Sequence, residues 1–390
     1  MKVLVLHQHF NTPQKGGALR SYYIAKALAD RGIQTVVITA HNEAGYRKED
    51  VEGVEVHYLP VAYDNKFGFT GRSISFLKFA WKSARLAGRM TGVGICYAMS
   101  VPLTVGLAAV WIKRRYKIPF IFEVGDLWPD APIQMGFVQN FFLRRFLYRL
   151  EKQIYREANS IVALSTAIRS AVEMKMPGKM THLIPNMADI EFYRPGSKEE
   201  DVEKKCDEAG KFVVTYAGAL GVANGLDYFL ECAHVSRKAN LPIQFLLVGE
   251  GAMLDRLKAN ASRLGLQNLS FAGFKNREGV REILSISDAV FVCYKNVPIL
   301  ETGSPNKYFD GLAAGKLIVI NFGGWIKTEI EETRCGIYVD PREPNDFVKK
   351  IKVFLENRYL LQQYQESARK LGETKYSRAL LSERFAKIFR

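Results

Sequence analysis

The chain alternates short, largely apolar runs with longer stretches of helical period. It opens with an apolar run over 3–7, passes through a glycine-containing loop and a helix over 19–30, and returns to an apolar run over 35–39. Further runs fall at 54–59, 94–99, 119–123, 160–164 and 182–184. Runs that are mainly apolar at consecutive positions, rather than only at every second one, predict strands buried on both faces, and so a parallel sheet covered by helices on either side. The pattern lapses over 194–210, where Pro195, Gly196 and a Lys/Glu tract from Lys198 to Lys205 read as a linker. It restarts at 212–218 and continues through 243–248, 269–272, 289–293, 317–321 and 336–339. The reading is an α/β chain of two doubly wound domains, 1–193 and 211–373. Helical segments over 345–355, 360–371 and 377–389 close the chain, and residues 374–390 are expected to return to the first domain.

Open α/β sheets take their ligands beyond the carboxyl ends of their strands, so two such sheets facing each other predict one cleft lined by post-strand loops. The most informative stretch is Ser304-Pro305-Asn306-Lys307-Tyr308-Phe309-Asp310. Ser304 as N-cap with Pro305 at the first helical position would leave the N–H groups of Asn306 and Lys307 facing outward as an anion site. Asp310 follows on the order of 6 to 8 Å beyond the helix start, the spacing between a diphosphate and its ribose hydroxyls. An ordinary capped helix packing Phe309, Leu312 and Ala313 inward fits the same residues.

Other loops add candidates. Gly16 and Gly17 precede a helix that begins near Arg20 and allow close backbone approach to a ligand. The loop lacks the spacing of a dinucleotide fingerprint. His7 and His9 have no third ligand at a convincing spacing, so they read as core or loop histidines. Glu123, Asp126 and Trp128 leave a buried strand together, material suited to binding a polar ring, although strand alternation also permits a structural role for Glu123. Gly218, Gly249 and Gly251 follow strands of the second domain and expose backbone N–H groups, and Lys275 and Arg277 stand where they could flank a base or phosphate.

Charge changes this picture. The net charge is +15 with pI near 9.4, which calls for an anionic partner: nucleic acid, anionic lipid or a phosphorylated substrate. Lys78, Lys82, Arg85 and Arg89, with Trp81 beside them, recur at helical spacing, as do Arg145, Arg149, Lys152 and Arg156 among aromatic residues. Two such stripes predict contact with an anionic membrane surface, whereas a solvated helix face is the plain alternative. No nucleic-acid-binding module accompanies them. Cys96, Cys206, Cys232, Cys293 and Cys335 show neither zinc spacing nor a secreted framework and fit a reducing cytosol. The first apolar run is too short for a signal peptide, and the longest apolar segment, near 101–112, is too short to span a bilayer.

Taken in order, the glycine loop, Asp126-Leu127-Trp128-Pro129, Ile184-Pro185-Asn186, Tyr216-Ala217-Gly218, Val248-Gly249-Glu250-Gly251 and the segment from Ser304 to Lys316 resemble the retaining family 4 glycosyltransferases of GT-B fold. More narrowly they resemble the bacterial N-acetyl-L-fucosamine transferases of O-antigen and capsule (lipopolysaccharide and capsule polysaccharide) assembly. The resemblance implies a UDP-sugar donor held by the second domain, an acceptor held by the first, retention at the transferred carbon, and no metal or other cofactor. It implies that Asp310 holds the ribose, that Ser304, Pro305, Asn306 and Lys307 hold the diphosphate with Gly218, Gly249, Gly251 and Lys275, and that Asp126, Lys307 and Glu301 act at the reacting sugar. Gly16, Gly17, Arg20, Glu123, Asp126, Trp128 and Asn186 are then the acceptor residues. The chain departs from the pattern in places. Thr302 occupies the first acidic position, with Glu301 one residue away, Ala219 and Asn224 stand where basic residues usually meet the diphosphate, and Gly125 replaces a usual histidine. The expected activity is transfer of an N-acetylated hexosamine or 6-deoxyhexosamine from UDP to a lipid-diphosphate-linked saccharide on the inner face of a bacterial plasma membrane. A UDP-sugar epimerase and a non-catalytic nucleotide-sugar-binding scaffold are the alternatives.

Overall fold

A computed structural model describes residues 1–64, 67–195 and 210–389. Most of the expected linker, with Cys206, lies outside the described residues. The chain forms two compact units: Met1–Pro185 with Thr302–Ser304 and Ala379–Arg390, and Asn186–Glu301 with Pro305–Arg378.

The first unit is built on an eight-stranded sheet of β1 (Lys2–Leu6), β2 (Gln34–His41), β3 (Arg47–Val51), β4 (Val54–Pro60), β5 (Val93–Met99), β6 (Phe120–Val124), β7 (Ser160–Ala163) and β8 (Thr181–Leu183). Its order is β3-β4-β2-β1-β5-β6-β7-β8. Every pairing is parallel except β3 with β4. The helices are α1 (Arg20–Ala29), α2 (Phe69–Ala87), α3 (Thr104–Tyr116), α4 (Asp130–Gln134), α5 (Phe141–Glu157) and α6 (Thr166–Lys175). The apolar runs became the central strands for the reason that predicted them: Val3 to Leu6 and Val36 to Ile38 are enclosed from both faces. β3 escaped the sequence reading because Arg47-Lys48-Glu49-Asp50 contains no apolar residue. It forms an edge strand through a tight turn in which Glu52 and Gly53 both take positive φ, and its charges keep that edge from pairing further.

The second unit carries β9 (Phe212–Ala217), β10 (Ile243–Val248), β11 (Leu269–Gly273), β12 (Ala289–Val292), β13 (Leu317–Ile320) and β14 (Gly336–Tyr338), all parallel, in the order β11-β10-β9-β12-β13-β14. Its helices are α7 (Asp227–Lys238), α8 (Leu254–Arg263), α9 (Arg277–Ile286), α10 (Asn306–Ala313), α11 (Trp325–Thr333), α12 (Pro344–Glu356), α13 (Arg358–Thr374) and α14 (Arg378–Ala386), the last running on into the first unit. Phe229, Phe245, Phe291 and Phe347 pack edge to face and offset at the centre of its core. Both units are thus doubly wound α/β layers. In each the strand order reverses beside the first strand, which places a crevice after β1 and β5 in one unit and after β9 and β12 in the other.

Candidate nucleotide-sugar and acceptor sites

In the second unit the loops that leave β9, β10 and β12 are laced together by backbone. Gly218 N–H donates to Val248 O at 2.9 Å, Leu220 N–H to Glu250 O at 2.9 Å, and Lys295 N–H to Ala223 O at 2.9 Å. Gly249 and Gly251 have positive φ, and a Cβ on them would lie 2.0 Å from Gly218 O and 2.6 Å from Leu220 O. Their absent side chains let the two loops touch. Asn224, found where a basic residue is usual, donates to Ala219 O at 2.9 Å and serves the loop itself.

α10 starts at this crevice. Its N-cap is Pro305 in extended conformation, with no side-chain cap, so the helix begins one residue later than expected and Ser304 does not cap it. Proline held at φ −72° with ψ 130° ends the extended segment at itself. The N–H groups of Asn306 and Lys307 are left without intrahelical acceptors, as an anion site needs. One side of α10 is core: Tyr308, Phe309, Leu312 and Ala313 are fully enclosed, and Gly311 lets the helix lie against Val290 and Ile318. Lys307 and Asp310, three residues apart, share another side.

Lys307 Nζ stands 4.9 Å from the centre of the Tyr216 ring, and its Cε would be 2.6 Å from a Cβ on Gly218. Gly218 therefore makes the room in which this cation rests on an aromatic face. No hydrogen bond or ion pair joins Lys307 or Asp310 to another side chain among the described residues. Both keep part of their surface open to solvent, yet protein surrounds them densely enough to displace their titrations. Burial pushes Lys307 down to about 8, with Asp310 and Cys293 opposing. Burial pushes Asp310 up to about 7, against Arg277 and Lys307 and with help from Asp189. Arg277, rather than the exposed Lys275, is the basic residue turned toward Asp310. Its guanidinium lies 3.6 Å from the Phe192 ring centre and pairs with Asp189.

Glu301 sits in a 3-10 turn, Pro298–Thr302, and its Oε1 accepts from Gly323 N–H at 3.3 Å at the end of β13. A Cβ on Gly324, at φ +79°, would fall 2.9 Å from Glu301 Cβ, so glycine there seats the acid. Thr302 groups with the first unit, where its carbonyl accepts from Ser165 Oγ at 2.5 Å.

The side of α10 away from the crevice is pinned by a group the sequence did not reveal. Glu329 on α11 accepts from Tyr308 Oη at 2.6 Å and from Tyr376 Oη at 2.7 and 2.8 Å, and pairs with Lys375.

In the first unit two acceptor candidates need correction. Arg20 Nε donates to both Glu123 oxygens at 3.0 Å and Nη2 donates to Oε2 at 2.8 Å, while the other guanidinium contacts are Pro185 O at 2.6 Å and Ile184 O at 2.8 Å. Tyr97 Oη also donates to Glu123. Every polar atom of both side chains is spent inside the unit, so Arg20 and Glu123 tie α1, β6 and the end of the sheet together and present nothing to a ligand. Gly16 and Gly17, at φ +70° and +82°, form a turn in which Lys15 and Gly16 N–H donate to Thr12 O, just ahead of the uncapped N-terminus of α1. Asp126 is exposed on the loop after β6, and Trp128 is half-buried next to it. Asn186 is buried and opens the second unit rather than joining the loops of the first.

The basic stripes lie on α2 and α5. Lys78, Arg85 and Arg89 are exposed, with Arg85 stacked over Trp81 at 5.5 Å, but Lys82 donates to Pro60 O at 3.0 Å and is partly committed. Arg145, Arg149, Lys152 and Arg156 are all exposed. Among the described residues no helix is long and apolar enough to cross a membrane, and no group of three or more His, Cys, Asp or Glu is placed to hold a metal. Cys96, Cys232, Cys293 and Cys335 are buried thiols.

Residues 15–187 match the family described as Glycosyl transferase 4-like domain, and residues 197–371 match Glycosyl transferases group 1. The chain is 21% identical over 252 residues to the alpha-D-kanosaminyltransferase of Streptomyces kanamyceticus, spanning 62% of each chain. Sucrose-phosphate synthase from Thermosynechococcus elongatus shares the fold with TM-score 0.81 at 15% identity, covering 100% of this chain and 98% of that one. Anabaena HepE, solved in complex with UDP and glucose, superposes with TM-score 0.74 at 18% identity over 100% and 99%. With a family 4-like domain followed by a group 1 domain on two doubly wound units, the chain belongs to the glycosyltransferases of GT-B fold.

Proposed function

We propose that the chain transfers an N-acetylated hexosamine or 6-deoxyhexosamine, with retention, from a UDP-sugar to a lipid-diphosphate-linked saccharide at an anionic membrane surface. The observation that carries this reading is the pair Lys307 and Asp310, turned to one side of α10 at the crevice and bonded to no other side chain among the described residues. A nucleoside diphosphate supplies what each lacks. Its phosphates meet the open N–H groups of α10 and the Lys307 ammonium, and its ribose hydroxyls donate to Asp310 about one helical turn away. The fold neighbour solved with UDP and glucose supports the choice of UDP.

As the bond to the sugar breaks, negative charge collects on the departing phosphate, and Lys307 opposes it in a setting that already resists solvent. The departing phosphate accepts the proton of the attacking hydroxyl on the same face of the sugar, so no side chain must become covalently attached. Asp126 holds the acceptor hydroxyl, and Glu301 reaches hydroxyls of the donor sugar. Calorimetric titration with UDP tests the core of this reading. Asp310→Ala should weaken binding at least about tenfold, the cost of leaving two ribose hydroxyls unpaired. Unchanged affinity in that variant would remove Asp310 from the nucleotide site and the reading with it.

A further inference from the structure

α5 differs from the other helices of the first unit in what it leaves uncovered. Phe141, Phe142 and Phe146, at its N-terminal end, are 67%, 78% and 60% exposed, and Phe137 just before it is also open. Monomeric proteins rarely leave four neighbouring phenylalanines in water without a use for them. Trp111 on α3 and Trp81 on α2 are exposed as well. α2 packs on α3 and α3 on α5, where Ile154 comes within 2.7 Å of the Cβ position of Gly106. These three helices carry twelve Lys and Arg against two Glu. Of those acids Glu151 is buried and Glu157 is paired with Arg114 and Lys113.

This combination selects the occupant. A second copy meeting the face across a two-fold axis would set Arg145, Arg149, Lys152 and Arg156 against themselves. An anionic bilayer accepts both the aromatic rings, at headgroup depth, and the surrounding cations.

α5 also grips the loop that bears Asp126. Only fourteen residues lie between Asp126 and Phe141, and that segment is fastened to the helix bodies. Tyr148 Oη donates to Asp130 Oδ1 at 2.8 Å, and Lys175 Nζ bridges Asp130 Oδ2 at 2.6 Å and Glu151 at 2.8 Å. Arg144 Nε donates to Val138 O at 3.0 Å. The aromatic tip and the Asp126 loop are two ends of one braced segment.

We infer that the aromatic end of α5 docks on an anionic bilayer and that this contact steadies the Asp126 loop through the Tyr148–Asp130–Lys175–Glu151 network. It rests on the proposed lipid-linked acceptor for its purpose, but its test needs no turnover, so failure of the transferase reading and failure of this one are separate results. The full chain is mixed with vesicles of phosphatidylcholine alone or with about 30% phosphatidylglycerol, then sedimented, and amide hydrogen exchange is followed over 125–135. The expected result is sedimentation with the anionic vesicles only, weakening as salt is raised, with slowed exchange over 125–135. The double variant Phe141→Ser/Phe142→Ser, checked to melt like the parent, should lose at least about tenfold in vesicle partition. Tyr148→Phe should sediment like the parent but lose the slowed exchange. Three results would overturn the inference: no anionic-vesicle binding, undiminished binding by the double serine variant, or full protection of 125–135 in Tyr148→Phe. A stable dimer in solution that the serine substitutions dissociate would also overturn it, by giving the face to a second copy.

Discussion

At the scale of single residues, the second-unit site holds two charges in a setting that discourages both. Asp310 is raised to about 7 by burial, so it is ionised above that pH, and Lys307 is lowered to about 8 by burial, so it is protonated below that pH. The combination the proposed reaction needs, carboxylate with ammonium, is therefore most populated between about 7 and 8. For the proposed transfer, kcat/KM should rise as pH increases through about 7 and fall again through about 8. Lys307→Arg, if it retains activity, should carry the alkaline limb beyond the assayed range, because guanidinium does not titrate there. A flat profile from pH 6 to 9 in initial-rate measurements would show that neither group limits the free enzyme. That Lys307 and Asp310 share one helical side was legible in their spacing of three residues. Arg20 and Glu123 looked equally eligible, yet they are partners across 103 residues of sequence. Such a pairing leaves no local signature, and only the strand position of Glu123 hinted at it. The pairing of Arg277 with Asp189 was hidden for the same reason, since it depends on packing at a distance.

At the scale of elements, α10 is a short helix whose position is fixed from its far side. Tyr308 and Tyr376 converge on Glu329, and their rings, with Phe309 and Trp325, form one aromatic cluster. Burial holds both phenols protonated well above the ordinary range, so each always donates. Glu329→Gln keeps the shape but replaces an acceptor of several bonds by one that takes fewer and adds donors. That variant should weaken UDP binding roughly five- to thirtyfold, as expected for loss of one or two hydrogen bonds of about 1 kcal/mol each. Tyr308→Phe should do the same, and the double variant should lose less than the sum, because both remove one network. Calorimetry on the three variants reads this, and strictly additive losses would mean that Glu329 and Tyr308 act separately. Most elements could be seen in the sequence, since buried parallel strands declare themselves as largely apolar runs. β3 could not, because an edge strand is permitted to be polar, and the start of α10 was misplaced by one residue because proline fits both sides of a helix boundary.

At the scale of the whole molecule, the first unit is completed by distant chain. Phe385 and Phe389 pack on Tyr97 at 4.9 and 5.9 Å between ring centres, and Tyr97 in turn donates to Glu123. Phe385 is fully buried, so Phe385→Ala should cost this unit about 3–5 kcal/mol while leaving the second unit's affinity for UDP intact. Denaturant titration with probes in each unit would show the first transition moving alone. Coincident movement of both would indicate that the units unfold together. The same aromatic closure has a consequence during synthesis. Phe385 leaves the ribosome about 200 residues after the β8 strand, a delay on the order of 10 to 40 s at ordinary elongation rates. Until then the first unit waits with Tyr97 uncovered while the second unit is made, so the half of the chain that is translated first is finished last.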